Sequence, residues 1–333
     1  MFSRDVGIDL GTANVLIYVK GRGIVLDEPS VVAIDIHHDR VLEVGEAARR
    51  MVGRTPGNIV ATRPLKDGVI ADFEMTEAML KYFLDKINVR GLIGKPRILI
   101  CTPTNITTVE QKAIREAAQK SGAKHVFLEE EPKVAAIGAG MDIFQPYGNM
   151  VVDIGGGTTD VAVLSMGDIV TASSIKMAGD KLDQDILQYI KQKYKLLIGE
   201  RTSESIKIQV ATVFPGARDE EMEIRGRDMV SGLPRNITIR SSEIEEALNE
   251  SVHSILMAAK SVLEKTPPEL SADIIDRGII LTGGGALLHG IDQLFAEELK
   301  VPVHIADDPM TCVARGTGLM LEHIDKLPKQ KTS

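Results

Sequence analysis

Short apolar runs and longer amphipathic stretches alternate along this chain. Residues 6–10, 97–102, 151–154 and 278–282 are apolar runs of strand length. Residues 79–87 instead carry one apolar stripe at helical spacing, and another helical stripe covers residues 244–263. The second helix must end before Pro267 and Pro268, because proline cannot continue a helix. This alternation of strands and helices predicts an α/β architecture.

One strand pattern occurs twice. Residues 6–14 and 151–160 each read as a strand, an aspartate, a turn of glycine and threonine, and then a second apolar strand begins. The repetition predicts two similar halves, which look fused because no Pro/Ser-rich linker separates them. Residues 27–70 and 182–240 have weaker periodicity, and we expect each to form a smaller insertion on one half.

The two glycine turns, at residues 9–14 and 153–160, have the composition of phosphate-binding loops. Glycine lets the backbone come close to phosphate oxygens and adopt positive φ, and threonine hydroxyls add further donors. A Walker loop is excluded because neither turn carries its lysine before a helix. A Rossmann fingerprint is excluded because strand-like residues follow both turns. The sequence therefore predicts two hairpins that grip a polyphosphate from two sides.

Acidic residues accompany these turns. Asp9 and Asp153 each come at the end of a strand, where a carboxylate can hold Mg²⁺ through its waters. The alternative is that each aspartate caps its own turn, but the repeated pair favours Mg²⁺. Glu131 precedes Pro132, which places it at a predicted strand–helix junction, where it could orient a water for attack on a γ-phosphate. The alternative for Glu131 is simple stabilisation of the helix dipole.

A third glycine turn, residues 281–288, is expected to enter a helix. Its three consecutive glycines would let a flat ring lie against the backbone, which suits an adenine or a ribose. The alternative is a tight strand-to-helix turn with no ligand.

Composition narrows the possible functions. The 333 residues are too many for one ordinary core, so two or more domains are expected. A net charge of −8 and an aromatic content of 4% without tryptophan disfavour nucleic-acid binding. No run approaches the ~18 apolar residues of a membrane span, and the strand-like start leaves no room for a signal peptide. We therefore expect a protein that works inside the cell.

Taken together, the chain resembles the MreB family of bacterial actin homologues, most nearly its Mbl branch. The glycine turns are shared by actins, Hsp70 chaperones and sugar kinases. Their combination with the segments at 226–234 and 266–278 is specific to this family. The resemblance covers essentially the whole chain, and the segments that carry it are IDLGTAN at 8–14, EPSVVAID at 28–35, RPLKDGVIADF at 63–73, EEPKVAAIGAG at 130–140, VVDIGGGTTD at 151–160, IGERT at 198–202, GRDMVSGLP at 226–234, TPPELSADIIDRG at 266–278 and LTGGGALL at 281–288.

The resemblance implies an actin-type fold of four subdomains around a central nucleotide cleft. Subdomain IA would comprise residues 1–30 and 71–145, IB 31–70, IIA 146–181 and 241–315, and IIB 182–240, with a C-terminal helix and tail at 316–333. It also implies slow, assembly-coupled ATP hydrolysis and filaments of paired antiparallel protofilaments. Such filaments lie on the inner face of the cell membrane and work with the cell-wall elongation machinery to maintain rod shape.

The resemblance also implies roles for individual residues. Glu131 would position the attacking water, with Thr158 beside it, and the loop dipeptide Leu92-Ile93 would insert into lipid. Asp9 and Asp153 would hold Mg²⁺ through water. The residues that would contact ATP are Gly11, Thr12, Ala13 and Asn14 in the first turn, Gly155, Gly156, Gly157 and Thr158 in the second, Glu204, Ser205, Ile206 and Lys207 at the nucleoside, and Gly283, Gly284, Gly285 and Ala286 in the adenosine loop.

Two other functions use the same kind of clamp. An Hsp70-type chaperone needs a substrate-binding domain after the ATPase, for which this chain has little room. A small-molecule kinase needs a general base aimed at an acceptor hydroxyl, and no Asp/His pair in the sequence suggests one. The sequence therefore favours a polymerising ATPase.

Overall fold

The computed structural model describes residues 5–38, 40–88 and 95–322. Within those ranges, no helix is both long and apolar enough to cross a membrane. Contacts divide the chain into two compact units, one of residues 1–143 and 310–333 and the other of residues 144–309. The four subdomain boundaries given above stay a prediction.

The strands of the described residues are numbered in chain order. They are β1 (Val6–Leu10), β2 (Asn14–Val19), β3 (Gly23–Pro29), β4 (Val32–Asp35), β5 (Arg40–Val44), β6 (Ile59–Thr62), β7 (Leu65–Lys66), β8 (Val69–Ile70), β9 (Arg97–Thr102), β10 (His125–Glu130), β11 (Asn149–Ile154), β12 (Thr159–Ser165), β13 (Asp168–Ile175), β14 (Leu196–Leu197), β15 (Glu221–Asp228), β16 (Pro234–Arg240), β17 (Ile279–Thr282) and β18 (Val303–Ile305).

The α-helices of the same residues are numbered likewise. They are α1 (Glu46–Arg49), α2 (Phe73–Lys86), α3 (Thr108–Lys120), α4 (Glu131–Gly138), α5 (Gly179–Tyr194), α6 (Glu200–Gln209), α7 (Ser241–Lys265), α8 (Pro268–Arg277), α9 (Ile291–Leu299) and α10 (Cys312–Leu321), with short 3₁₀ turns at Gly284–Leu287 and Pro309–Thr311.

The two units are built on sheets of the same strand order. In the first unit the order is β10-β9-β1-β2-β3, and in the second it is β18-β17-β11-β12-β13. In each sheet the first three strands are parallel and the last three form antiparallel pairs. This match confirms the two similar halves predicted from the repeated strand pattern.

Each unit has its own aliphatic core. In the first, buried side chains of β1, β2 and β9 pack with those of α2 and α3. In the second, β11, β12 and β17 pack with α5, α7 and α9. The smaller sheet β5-β4-β6 lies within residues 32–62, and β14-β15-β16 lies within residues 196–240. Each central sheet thus packs against helices of its own unit, and the glycine turns lie at the edges of these packed sheets.

Two helices begin earlier than the capping boxes in the sequence suggest, α3 by one residue and α7 by two. Thr108 with Gln111 looks like such a box, but the cap is Thr107, which exchanges hydrogen bonds with Glu110. Ser242 with Glu245 looks like a second box, but α7 begins at Ser241, and the Glu243 carboxylate accepts from the backbone N–H of Arg240. Both helices have several polar residues near their start, and the path of the preceding chain decides which one caps the helix.

Helices α4 and α10 cross at glycine positions. A Cβ on Gly316 would overlap the carbonyl oxygen of Val134, and one on Gly138 would overlap the carbonyl oxygen of Cys312. The two backbones therefore touch, and a methyl group at either position must push the helices apart. Since α4 begins at Glu131, this crossing also positions the candidate catalytic residue.

Gly316→Ala is expected to destabilise the protein by about 1–3 kcal/mol, the usual cost of overpacking a close contact. In an open helix the same change would stabilise by up to about 1 kcal/mol, so the sign is diagnostic. Urea unfolding would measure it, with Gly57→Ala as the control because a Cβ there meets nothing within 4 Å. Equal or greater stability of Gly316→Ala would contradict the backbone contact.

Candidate functional site

The first glycine turn joins β1 to β2. A Cβ on Gly11 would lie 2.7 Å from the carbonyl oxygen of Asn14, so only glycine fits there. Ser30 holds the turn from outside: its hydroxyl donates to the carbonyl of Gly11 at 2.6 Å, and its N–H donates to that of Ala13 at 2.9 Å. Two carbonyl groups of the turn are thereby engaged, which fixes its backbone.

Two side chains of this turn are held by other segments of the first unit. The hydroxyl oxygen of Thr12 accepts a hydrogen bond of 3.1 Å from the N–H of Gly68, at the tip of the β7–β8 hairpin. The amide of Asn14 donates to the carboxylate of Asp27 at 2.8 Å. Sequence reasoning missed the supports from Ser30 and Gly68, although both lie in segments that carry the family resemblance.

Glu131 lies at the same sheet edge as this turn. Strands β1, β9 and β10 are parallel, so their carboxyl ends meet at one edge. The turn follows β1 there, and Glu131 follows β10 as the first residue of α4, with Pro132 next. The strand–helix junction predicted for Glu131 is confirmed, and its side chain is half-buried.

The second glycine turn, between β11 and β12, caps a helix with its carbonyl groups. The N–H groups of Gly179 and Asp180, the first two residues of α5, donate to the carbonyl oxygens of Gly155 and Gly156 at 3.1 and 2.8 Å. In a trans peptide the N–H points opposite to the C=O. The N–H groups of Gly156 and Gly157 therefore point away from α5, as a phosphate-binding turn requires.

Asp153 is a buried residue near the end of β11, just before these glycines. Its Oδ1 accepts a hydrogen bond of 2.8 Å from the hydroxyl of Thr282. Burial raises the pKa of Asp153 to about 7; the charge of Asp160 opposite it raises the pKa too, while the hydrogen bond from Thr282 lowers it. A nearby divalent cation would favour the ionised form.

The acidic residues fit the indirect Mg²⁺ binding that the sequence predicts. Among the described residues, no group of three or more His, Cys, Asp or Glu side chains is arranged to hold a metal ion directly. Asp9 is half-buried at the end of β1, in the position that Asp153 has in β11. Mg²⁺ beside phosphate keeps several waters and needs only one or two carboxylates, so an aspartate at the end of either strand suits such an ion.

The third glycine turn packs directly against β11. A Cβ on Gly283 would lie 2.8 Å from the Asp153 carboxylate, and one on Gly285 would overlap the Ile154 side chain. A Cβ on Gly284 would meet nothing within 4 Å. The prediction that this turn enters a helix directly is wrong in detail. Gly284–Leu287 is a 3₁₀ turn, and α9 begins only at Ile291. Two of the three glycines are thus needed for packing, and Gly284 leaves the backbone open.

Helix α6 carries the four residues expected at the nucleoside. Ile206 is fully buried in the core of the second unit, so its side chain anchors the helix. The hydroxyl of Ser205 donates to the carbonyl of Arg201 at 2.8 Å. Glu204 is half-buried, and the ammonium of Lys207 reaches the first turn of α5, where it donates to the carbonyl of Gly179 at 3.0 Å. Leu92 and Ile93 lie outside the described residues.

Replacing Asp153 by asparagine should stabilise the protein in buffer free of Mg²⁺ and nucleotide. An unfolded aspartate ionises near pH 4, whereas the pKa of Asp153 is about 7 in the folded protein. The folded protein therefore binds the extra proton between these values and loses stability as pH rises through this window. Asparagine removes that loss and can still accept from Thr282.

Thermal unfolding from pH 4 to pH 8 would measure this effect, with exposed Asp276→Asn as the control. The melting temperature of Asp153→Asn should exceed that of wild type at pH 8, and the difference should shrink towards pH 4. A variant no more stable than wild type at pH 8 would show that the buried carboxylate costs nothing.

Comparisons with known proteins agree with this geometry. The chain is 77% identical to the cell shape-determining protein Mbl of Bacillus subtilis over all 333 residues of both. It is 53% identical to MreB of Escherichia coli, covering 98% of this chain and 95% of that one. MreB5 of Spiroplasma citri, crystallised with AMPPNP, superposes with a TM-score of 0.93 at 41% identity over 98% of each chain. A MamK filament structure, 20% identical with a TM-score of 0.80, shares the fold. The family model described as MreB/Mbl protein matches residues 3–329, and the chain belongs to this family of actin-like proteins.

Proposed function

We propose that this protein binds Mg²⁺-ATP and assembles into filaments. The observation that carries the proposal is the repeated glycine turn, placed at the carboxyl edge of two sheets of the same order and preceded each time by an aspartate. Ligands of open α/β sheets bind at such edges. The MreB5 relative was crystallised with AMPPNP and with ADP, which supports a nucleotide as the ligand.

Each loop has a proposed part in binding. The backbone N–H groups of residues 11–14 and 155–158 bind phosphate oxygens, while Asp9 and Asp153 hold Mg²⁺ through its waters. Residues 283–286 lie against the adenosine, where the open backbone at Gly284 admits a flat ring. Glu204 and Lys207 on α6 contact the nucleoside side of the ligand.

Hydrolysis in this proposal depends on Glu131. Glu131 is the first residue of α4 and lies at the same sheet edge as the first glycine turn. There it orients and deprotonates the water that attacks the γ-phosphate, with the Thr158 hydroxyl assisting. We expect slow turnover coupled to assembly, because the water site is completed only when the subdomains close.

The relatives support a proposed cellular role. Proteins named cell shape-determining are 49–78% identical to this chain over nearly its whole length. We propose that paired antiparallel protofilaments form on the inner face of the cell membrane and organise lateral cell-wall synthesis, maintaining rod shape. Lipid contact through Leu92 and Ile93 belongs to this proposal and rests on the sequence alone.

Sedimentation separates the proposed function from its rivals. With Mg²⁺ and ATP the protein should pellet on ultracentrifugation above a critical concentration, whereas it should stay in the supernatant without nucleotide. An Hsp70-type chaperone or a small-molecule kinase would remain soluble under both conditions. Absence of pelleting together with phosphate transfer to a small hydroxyl compound would replace the proposal with the kinase.

Glu131→Ala should lower phosphate release in polymerising conditions by about 10²-fold or more, the usual contribution of a positioned general base. Nucleotide affinity should change little, because the carboxylate is not proposed to bind ATP, and the filaments should persist longer. The matched control is Glu129→Ala, which removes a neighbouring half-buried carboxylate of β10 that pairs with Lys133 at 3.8 Å. Phosphate release equal to wild type in Glu131→Ala would show that another group activates the water.

A further inference from the structure

A largely buried ion pair lies beside the second glycine turn. The ammonium of Lys207, on α6, is 2.9 Å from a carboxylate oxygen of Asp183, on α5, and donates to the carbonyl of Gly179 at 3.0 Å. Only 19% of the Lys207 side chain and 15% of the Asp183 side chain are exposed. The ammonium is thus held from two directions by the first turns of α5.

Gly179 relates this ion pair to the turn. Its N–H donates to the carbonyl of Gly155, and a Cβ on Gly179 would lie 3.3 Å from that oxygen and 3.4 Å from the Lys207 ammonium. The Cα of Gly179 therefore lies between the lysine ammonium and the glycine turn. The ammonium therefore lies close to the Gly155 carbonyl oxygen, on the side of the turn that faces α5.

Helix stability alone does not account for an ammonium at this place. The N-terminus of a helix carries partial positive charge, which repels a cation. Burial raises the pKa of Asp183 to about 6; the charge of Lys207 lowers it, whereas the charges of Glu204 and Asp180 raise it. A buried pair with such costs is weak evidence for a purely stabilising role. Groups perturbed in this way occur often at functional sites.

We propose that Asp183 is a positioning residue that holds the ammonium of Lys207 against the first turn of α5, ready to contact the bound nucleotide. Asp183 itself does not touch the ligand. This inference rests on the proposed nucleotide binding, and it adds to it the group that keeps the lysine in place. Without the carboxylate, the flexible lysine side chain loses its fixed position, and binding must then pay the entropy of ordering it.

A double-mutant cycle tests the inference. The dissociation constant of a fluorescent ATP analogue would be measured with Mg²⁺ on the full chain, below the concentration of assembly, for wild type, Asp183→Asn, Lys207→Met and the double variant. A charge-assisted hydrogen bond, such as one from the Lys207 ammonium to the nucleotide, contributes about 1.5–3 kcal/mol. Each single change should therefore weaken binding about tenfold to a hundredfold. The double variant should bind no more weakly than Lys207→Met, because Asp183 acts only through the lysine. Asp183→Glu should restore part of the affinity.

Three results would overturn either the positioning role of Asp183 or the proposed nucleotide binding. Affinity of Asp183→Asn equal to wild type, or weakening that multiplies in the double variant, would overturn the positioning role while leaving nucleotide binding intact. Failure of wild type to bind the analogue would overturn the proposed function and this inference with it.

Asp185→Asn is the matched control for general damage to α5. Asp185 lies two residues further along the same helix, is similarly buried, and accepts from Ser251 and Lys181. Its replacement should leave the affinity unchanged even where it lowers the melting temperature. If Asp183→Asn does not fold, Asp183→Glu takes its place, because it keeps the charge but shifts the ammonium by one methylene. Asp183→Glu should bind the analogue more weakly than wild type. Added to Lys207→Met, it should weaken binding no further.

Discussion

The candidate site depends on two hydrogen bonds in which glycine carbonyl groups cap a helix. The carbonyl oxygens of Gly155 and Gly156 accept from the first two N–H groups of α5. This contact satisfies donors that every helix start leaves unpaired. It also decides the direction of the turn, because the N–H groups of the same peptide units must then point away from α5. These two hydrogen bonds thereby cap the start of a helix and orient a binding loop.

The duplicated sheet explains why such turns occur twice. In both units a strand with a parallel neighbour on one side turns back into an antiparallel partner, and the turn falls at the carboxyl edge of the sheet. Aliphatic cores on each sheet keep that edge rigid. The two copies are braced differently: Ser30 and Gly68 hold the first turn, and α5 holds the second. The duplication thus preserves the backbone geometry while the supporting contacts diverge.

The acidic residues near the second turn are costly for the fold. Burial raises the pKa of both Asp153 and Asp183, so the ionised form of each carboxylate is less stable in the protein than in water. Thr282 and Lys207 offset part of that cost. A carboxylate that is unfavourable without a ligand gains most from a cation, which agrees with the proposed role of Asp153 in holding Mg²⁺.

The sequence by itself determined the α/β class, the two similar halves and the strand–turn–strand setting of both glycine turns. These features are local, since periodicity, turn chemistry and proline positions act within a few residues. Only the tertiary structure decided that Thr107 caps α3, that a 3₁₀ turn follows Gly283, and that Asp183 meets Lys207. Each of these depends on a contact between segments distant in sequence or on the path by which the chain enters a helix. A single sequence carries no period or spacing that reports such contacts.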